Sequence, residues 1–412
     1  MTLAEAPLLL MLVGLVAYAV LGGADFGAAF WQLGARGEHG AALREHAYRA
    51  MGPVWEANHV WLIFVLVICW TAYPDAFASI FSTLTVPLFV AGLGVILRGT
   101  AYAVHAGTAR EIERRAIDGV FSISSILTPF ALGAAVGAIA SGRVPVGNAR
   151  GDLVTSWLNP TSLAIGVLAV ATGVYVAAVY LAGDARRAGD DQLTAAFRAR
   201  SLTAGVVTGA IAFAALAVVA LDAGRVGERL LDWPALAAVA ASAAGGVLTL
   251  ALVHRSHFEA ARYGASAAVA AVVAGWALAQ RPELLPGLTL EEAAAGRSTL
   301  IATLVGVALG GLVLIPSLAL LFGLVLRGRF DREATAADPG SRQRAREGRP
   351  LLSVAVAAGA VGLPLTLLFD SGLLLALGVG LLLAFVALAW VALGSAMSAP
   401  DREGELEPPS AR

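Results

Sequence analysis

Apolar runs long enough to cross a bilayer, separated by short polar loops, set the pattern of this chain. A helix rises 1.5 Å per residue, so a hydrocarbon core roughly 30 Å thick takes about 20 mostly apolar residues to span. Stretches of that kind lie near 7–31, 53–73, 77–104, 117–140, 160–182, 203–222, 233–254, 264–280 and 298–326, with two more near 351–369 and 371–397. The pattern predicts an all-α, polytopic membrane bundle of about 11 transmembrane helices. Only Phe369, Asp370, Ser371 and Gly372 separate the last two runs, which makes them a tight hairpin or one broken helix. The first run carries Glu5 where a secretory signal has basic residues, and it stays apolar past Asp25 to Trp31. It reads as a span that remains attached.

The loops alternate in charge. One alternate set carries Arg36, Arg44 and Arg49, then Arg110, Arg114 and Arg115, then Arg186, Arg187, Arg198 and Arg200, then Arg255 and Arg262, and finally a cluster from Arg327 to Arg349. The other set is relatively acidic, with Asp75, Asp152, Asp222, Glu228, Asp232, Glu283, Glu291 and Glu292. By the positive-inside rule the first set faces the cytoplasm and the N-terminus is outside. Residues 1–330 read as one transmembrane domain, 331–350 as a basic cytoplasmic linker suited to anionic lipid headgroups, 351–398 as an extra helix pair and 399–412 as an acidic tail.

Composition agrees. Hydrophobic residues make up 58% of the chain, charged residues 14%, and mean hydropathy is +0.78; a soluble domain carries about 25% charged residues. The net charge of −1 gives no argument for nucleic acid, so membrane lipid is the expected surround. The single cysteine, Cys69, has no partner in this chain for a disulfide and reads as a small buried hydrophobe.

Charge inside a span is costly and tends to face a bundle interior or a cavity, so the few exceptions here stand out. Asp25 lies late in the first span, within Gly22-Gly23-Ala24-Asp25-Phe26-Gly27. The second opens with Gly52-Pro53-Val54-Trp55-Glu56-Ala57-Asn58-His59-Val60-Trp61-Leu62. Arg98 closes the third and Asp118 opens the fourth. The charge-based topology brings all of these to the cytoplasmic side, with Glu56 and His59 on one helix face. Together they predict a polar, proton-exchanging mouth. Plainer roles compete: Arg98 as a snorkelling anchor, Asp118 as a helix-start acid, Asp25 with Arg98 as a structural ion pair. Gly22, Gly23 and Gly27 read as sites of close helix packing. His39, His46, His254 and His257 read as solvated loop residues. No heme-attachment signature, phosphate loop, catalytic triad or metal-binding histidine pair is present.

At these residues the chain resembles subunit II of the cytochrome bd-type terminal oxidases. The run from Gly52 to Leu62 is similar to that family's G-P-V-W-D-G-N-E-V-W-L signature, and Asp25-Phe26-Gly27 to the end of its D-G-F-D-x-G motif. The similarity continues through Tyr73-Pro74, Leu97-Arg98-Gly99, Asp118 with Pro129, and Trp157-Leu158-Asn159-Pro160. The chain departs from the pattern at Gly22, where the family has an acid, and at Ala24, Glu56, Ala57 and His59.

The resemblance implies a multi-pass subunit of a respiratory quinol:O2 oxidoreductase complex, not catalytic alone. It implies no certain cofactor in this chain, heme b and heme d in the partner subunit I, and quinol as substrate of the complex. It further implies that Glu56, Asp25, Asp118 and His59 serve proton uptake, that Arg98 positions the carboxylates, and that Trp55, Asn58 and Trp61 shape the passage and the subunit contact. Two other classes stay open: a secondary transporter with buried carboxylates, and a purely structural subunit that binds lipid or quinone.

Overall fold

The computed structural model describes residues 2–33, 37–51, 55–105, 111–326, 349–368 and 372–397. Gly52, Pro53, most of the basic linker and the acidic tail lie outside them, as do the side chains of His39, Trp55, Glu56 and His105. The described residues form two compact units, Met1–Ser317 and Leu318–Arg412.

In the first unit, α1 (Glu5–Ala17) runs through a π turn (Tyr18–Gly22) into α2 (Gly23–Leu33). There follow α3 (Gly37–Met51), α4 (Trp55–Ala72), α5 (Pro74–Thr83), α6 (Thr85–His105), α7 (Glu111–Ala140), α8 (Pro160–Arg187) and α9 (Asp191–Asp222). Then come α10 (Arg225–Arg229), α11 (Ala235–His254), α12 (Phe258–Gln280), a hairpin of β1 (Glu283–Leu285) and β2 (Leu288–Thr289), α13 (Leu290–Ala293) and α14 (Arg297–Leu326), which belongs to this unit as far as Ser317. Among the described residues eight helices are long and apolar enough to cross a membrane; Asn58–Ala72, Ser353–Thr366 and Gly372–Leu388 are shorter apolar helices. Helices suit this setting because lipid offers no partner for an unpaired backbone group.

Two stretches differ from the hydropathy reading. The third expected span is divided at Leu84 into α5 and α6. Pro87 has no N–H to give the Thr83 carbonyl, so a continuous helix loses its bond there. The residues around Arg44 form α3 instead of a loop, burying Leu43 and Ala47. His46 is accordingly half-buried, its Nε2 lying 3.2 Å from the Leu181 carbonyl oxygen, whereas His254 and His257 are exposed at helix ends.

Small residues set the helix spacing. A Cβ at Gly27 would stand 2.0 Å from the Gly173 carbonyl oxygen on α8, and one at Gly137 2.6 Å from the Ser162 Cα. Gly23 and Gly27 of the first span therefore permit close packing against α8, as expected, whereas Gly22 faces the Tyr18 ring of its own helix. Some arginines near the helix ends and in the loops are structural. Arg262 donates to the Tyr180 carbonyl at 2.6 Å and to Asp184 at 2.7 Å. Arg143 forms a two-pronged pair with Asp222 at 2.9 and 2.8 Å, and Asp222 also accepts from the Thr161 hydroxyl.

In the second unit, α15 (Arg349–Leu368) and α16 (Gly372–Met397) lie antiparallel. Gly359 faces Phe385, Gly362 faces Leu381, and Gly378 faces Leu365 and Thr366. Of the two expectations, the tight hairpin is the one observed.

Candidate functional site

Among the described residues the most deeply buried charges are Asp25 and Arg98, with side chains 2% and 1% exposed. Arg98 Nη2 lies 2.5 Å from Asp25 Oδ1, and Nη1 donates to the Ser125 hydroxyl at 2.7 Å. That hydroxyl donates onward to the Phe121 carbonyl at 2.6 Å. The guanidinium sits between the rings of Phe26 and Phe121, 4.7 Å from each centroid. A buried ion is retained only with a partner and further hydrogen bonds, and an apolar sandwich strengthens the attraction by excluding water.

The fourth helix of the site is α4. The Asn58 amide donates to the Leu21 carbonyl at 3.2 Å. Leu21 belongs to the π turn, whose wider hydrogen-bond spacing disturbs the regular pairing of its carbonyls; Asn58 thus ties α4 to the segment that aims Asp25. The His59 ring meets Tyr18 edge-on at 6.2 Å and Phe26 at 6.1 Å. Glu56 is in the first turn of α4, three residues before His59, but its side chain lies outside the described residues, as does that of Trp55. Trp61 is half-buried and packs edge-on against Phe64 of its own helix at 6.2 Å.

Asp118 is half-buried and stands apart from the ion pair. It lines a very small cavity of about 10 Å³ with Gln32, Tyr48, Ala101, Tyr102, Ile117 and Phe121. Tyr48 and Tyr102 stack there at 5.2 Å, and burial pushes the Tyr48 hydroxyl up to about 12, so it stays protonated. Phe121 is common to both places: one ring borders the Asp118 cavity and covers Arg98. The structure therefore brings Asp25, Arg98, Asn58 and His59 together and sets Asp118 beyond Phe121.

The family model described as cytochrome bd terminal oxidase subunit II matches residues 3–325. The chain belongs to that family. It is 27% identical over 112 residues, 27% of its length, to the putative cytochrome bd menaquinol oxidase subunit II of Bacillus subtilis (strain 168). It is also 27% identical over 95 residues, 23% of its length, to cytochrome bd ubiquinol oxidase subunit 2 of the same organism. These matches span 32% and 28% of the relatives' own lengths. The solved structure of bd oxidase from Geobacillus thermodenitrificans is similar with a TM-score of 0.66 and 25% identity, over 79% of this chain and 99% of that one. The family is one of multi-pass helical membrane proteins, in line with the bundle seen here.

Sequence reasoning found the charges of this family member and missed what holds them. Ser125, Phe26 and Phe121 carry Arg98, and only the run Ser122-Ile123-Ser124-Ser125 inside an apolar span hinted at a polar lining. The π turn had no signal beyond the neighbouring Gly22-Gly23.

Proposed function

We propose that this chain is the heme-free subunit of a cytochrome bd-type quinol oxidase that reduces O2 to water. It completes the complex and supplies protons from the cytoplasm. Reducing oxygen consumes protons, and an apolar bundle conducts them only along fixed polar groups. The observation carrying this reading is the convergence of Asp25, Arg98, Asn58 and His59 from α2, α6 and α4 at a buried point of the bundle.

In this reading Glu56, in the first turn of α4, receives the proton at the membrane surface, and His59 and Asp25 lie on its inward course. Asp118 offers a second entry beside Tyr48 and Tyr102. Arg98 is a positioning residue: it holds Asp25 Oδ1 at 2.5 Å, and its bond to Ser125 fixes the guanidinium. Trp55, Asn58 and Trp61 shape the passage and the contact with subunit I. The arginine-rich loops face the cytoplasm and the N-terminus is outside. Residues 1–330 form the oxidase-type domain, 331–350 the basic linker, 351–398 an added helix pair and 399–412 the tail; the family match ending at residue 325 supports this division.

Hemes b and d and the quinol site are assigned to subunit I in this reading, and the surroundings of two described histidines support it: His46 is held at the Leu181 carbonyl and His59 packs against Tyr18 and Phe26. A purely structural reading is favoured by the closeness of the Asp25–Arg98 pair, which would need only to stay shut. The oxidase reading has a direct test: a tagged form of the chain should copurify with a second membrane subunit showing heme d absorption. Recovery of the chain alone, or with a partner lacking that absorption, would sink it.

A further inference from the structure

Gln32 from α2, Tyr48 from α3, Tyr102 from α6 and Asp118 from α7 meet around one small cavity, with Phe121 in its apolar wall. The volume of about 10 Å³ is close to that of one water-sized probe, so the space admits a single water and nothing larger. A water is held in such a place only where about two to four polar groups can bond to it; an apolar cavity stays dry. Here a carboxylate, two phenol rings and an amide surround the space.

Gln32 is the informative member. Its amide nitrogen is buried and has no hydrogen-bond partner among the described residues. A buried donor left unpaired is costly, and native proteins usually meet such groups with protein or ordered water. The terminal amide torsion of glutamine is broad and roughly two-fold, so turning about it presents either the nitrogen or the oxygen to the cavity. A metal cation beside the carboxylate would take the amide oxygen and leave the nitrogen unpaired. Water is the occupant that pairs it.

We propose that this cavity is a binding site for one ordered water, held by the Gln32 amide and hydrogen-bonded to the Asp118 carboxylate, and that this water hands protons to Asp118. The amide donates to the water oxygen, and the water donates to the carboxylate. In the transfer, a proton arriving from the cytoplasmic side bonds to the water oxygen. One of the water's own O–H bonds breaks as it does so, and that proton goes to Asp118. The water is regenerated, and nothing is oxidised or reduced. Gln32 is thus a positioning residue that acts through the water. The transfer rests on the reading of Asp118 as a second proton entry; the water site does not.

The test is a cryo-electron microscopy map of the whole complex at a resolution that shows ordered waters. It should contain one peak within about 3.2 Å of both the Gln32 amide and an Asp118 oxygen. No peak there overturns the proposal. So does a peak that strengthens with added sodium or potassium salt, or one that Gln32→Leu leaves in place. In Gln32→Leu the peak should vanish and oxygen consumption should fall about fivefold, the worth of one neutral hydrogen bond. Loss of the peak at unaltered turnover overturns the transfer. Unaltered turnover in Asp118→Asn counts instead against the second entry, and the map still decides the water. Should Gln32→Leu fail to assemble, Ala101→Val takes its place, filling the same cavity from α6 with the same two results expected.

Discussion

Replacing Arg98 with methionine is expected to destabilise the subunit by about 3–5 kcal/mol, the cost of stranding a buried charge without its partner. Arg98 is 1% exposed and takes Asp25 at 2.5 Å, so no water reaches the carboxylate to replace the guanidinium. Methionine fills much the same volume between Phe26 and Phe121, which keeps the loss electrostatic and avoids a cavity. Adding Asp25→Ala to Arg98→Met should recover most of the loss, because removing both members of a buried pair is close to neutral. Thermal unfolding of the detergent-purified complex measures both. A single variant as stable as the parent would mean that the pair contributes nothing; a double variant no better than the single would mean that the loss is one of packing.

The second large effect lies in the backbone. Gly27→Ala places a methyl 2.0 Å from the Gly173 carbonyl oxygen, 2.4 Å from its carbonyl carbon and 2.8 Å from the Ala177 Cβ. A carbonyl in the middle of α8 cannot rotate away as a side chain could, so the helices must separate. Overpacking of this sort costs about 1–3 kcal/mol, and separation here also pulls on Asp25, two residues away. Gly27→Val should prevent accumulation of the subunit in the membrane. Gly92→Ala on α6 is the control, since nothing lies within 4 Å of its added methyl. It should be neutral or slightly stabilising, as alanine is the better helix former by about 1 kcal/mol. Equal membrane levels for Gly27→Val and Gly92→Ala would show that α2 and α8 do not pack at this crossing.

The spans were legible because hydropathy reports what lipid demands of a helix. Their interruptions were less so. Pro87 divides α5 from α6 by withholding one N–H, a local defect inside a run whose average stays apolar. The polar segment carrying Arg44 forms α3 because Leu43 and Ala47 share a face that packs inward, a narrow stripe among many charges. At the site, Asp25 and Arg98 announced themselves by being charged in apolar surroundings, where a partner is nearly obligatory. Their neutral attendants had no such mark. Ser125, Phe26 and Phe121 are ordinary residues for a membrane helix, and only the fold brings them around one guanidinium. The expected grouping of Asp118 with the pair held in part: Phe121 stands between them. His46 read as a solvated loop residue because α3 was not foreseen; packed on Leu181, it is part of the scaffold.

The central claim is that the carboxylate in the Trp55–Trp61 signature delivers protons to an oxygen-reducing complex. Glu56→Gln preserves shape and removes the exchangeable charge, so oxygen consumption by the purified complex, normalised to heme content, tests it most directly. Oxygen consumption should fall about 100-fold or more, the range in which a proton-transferring side chain contributes, with heme content unchanged. Oxygen consumption equal to that of the unsubstituted complex at normal heme content would contradict it.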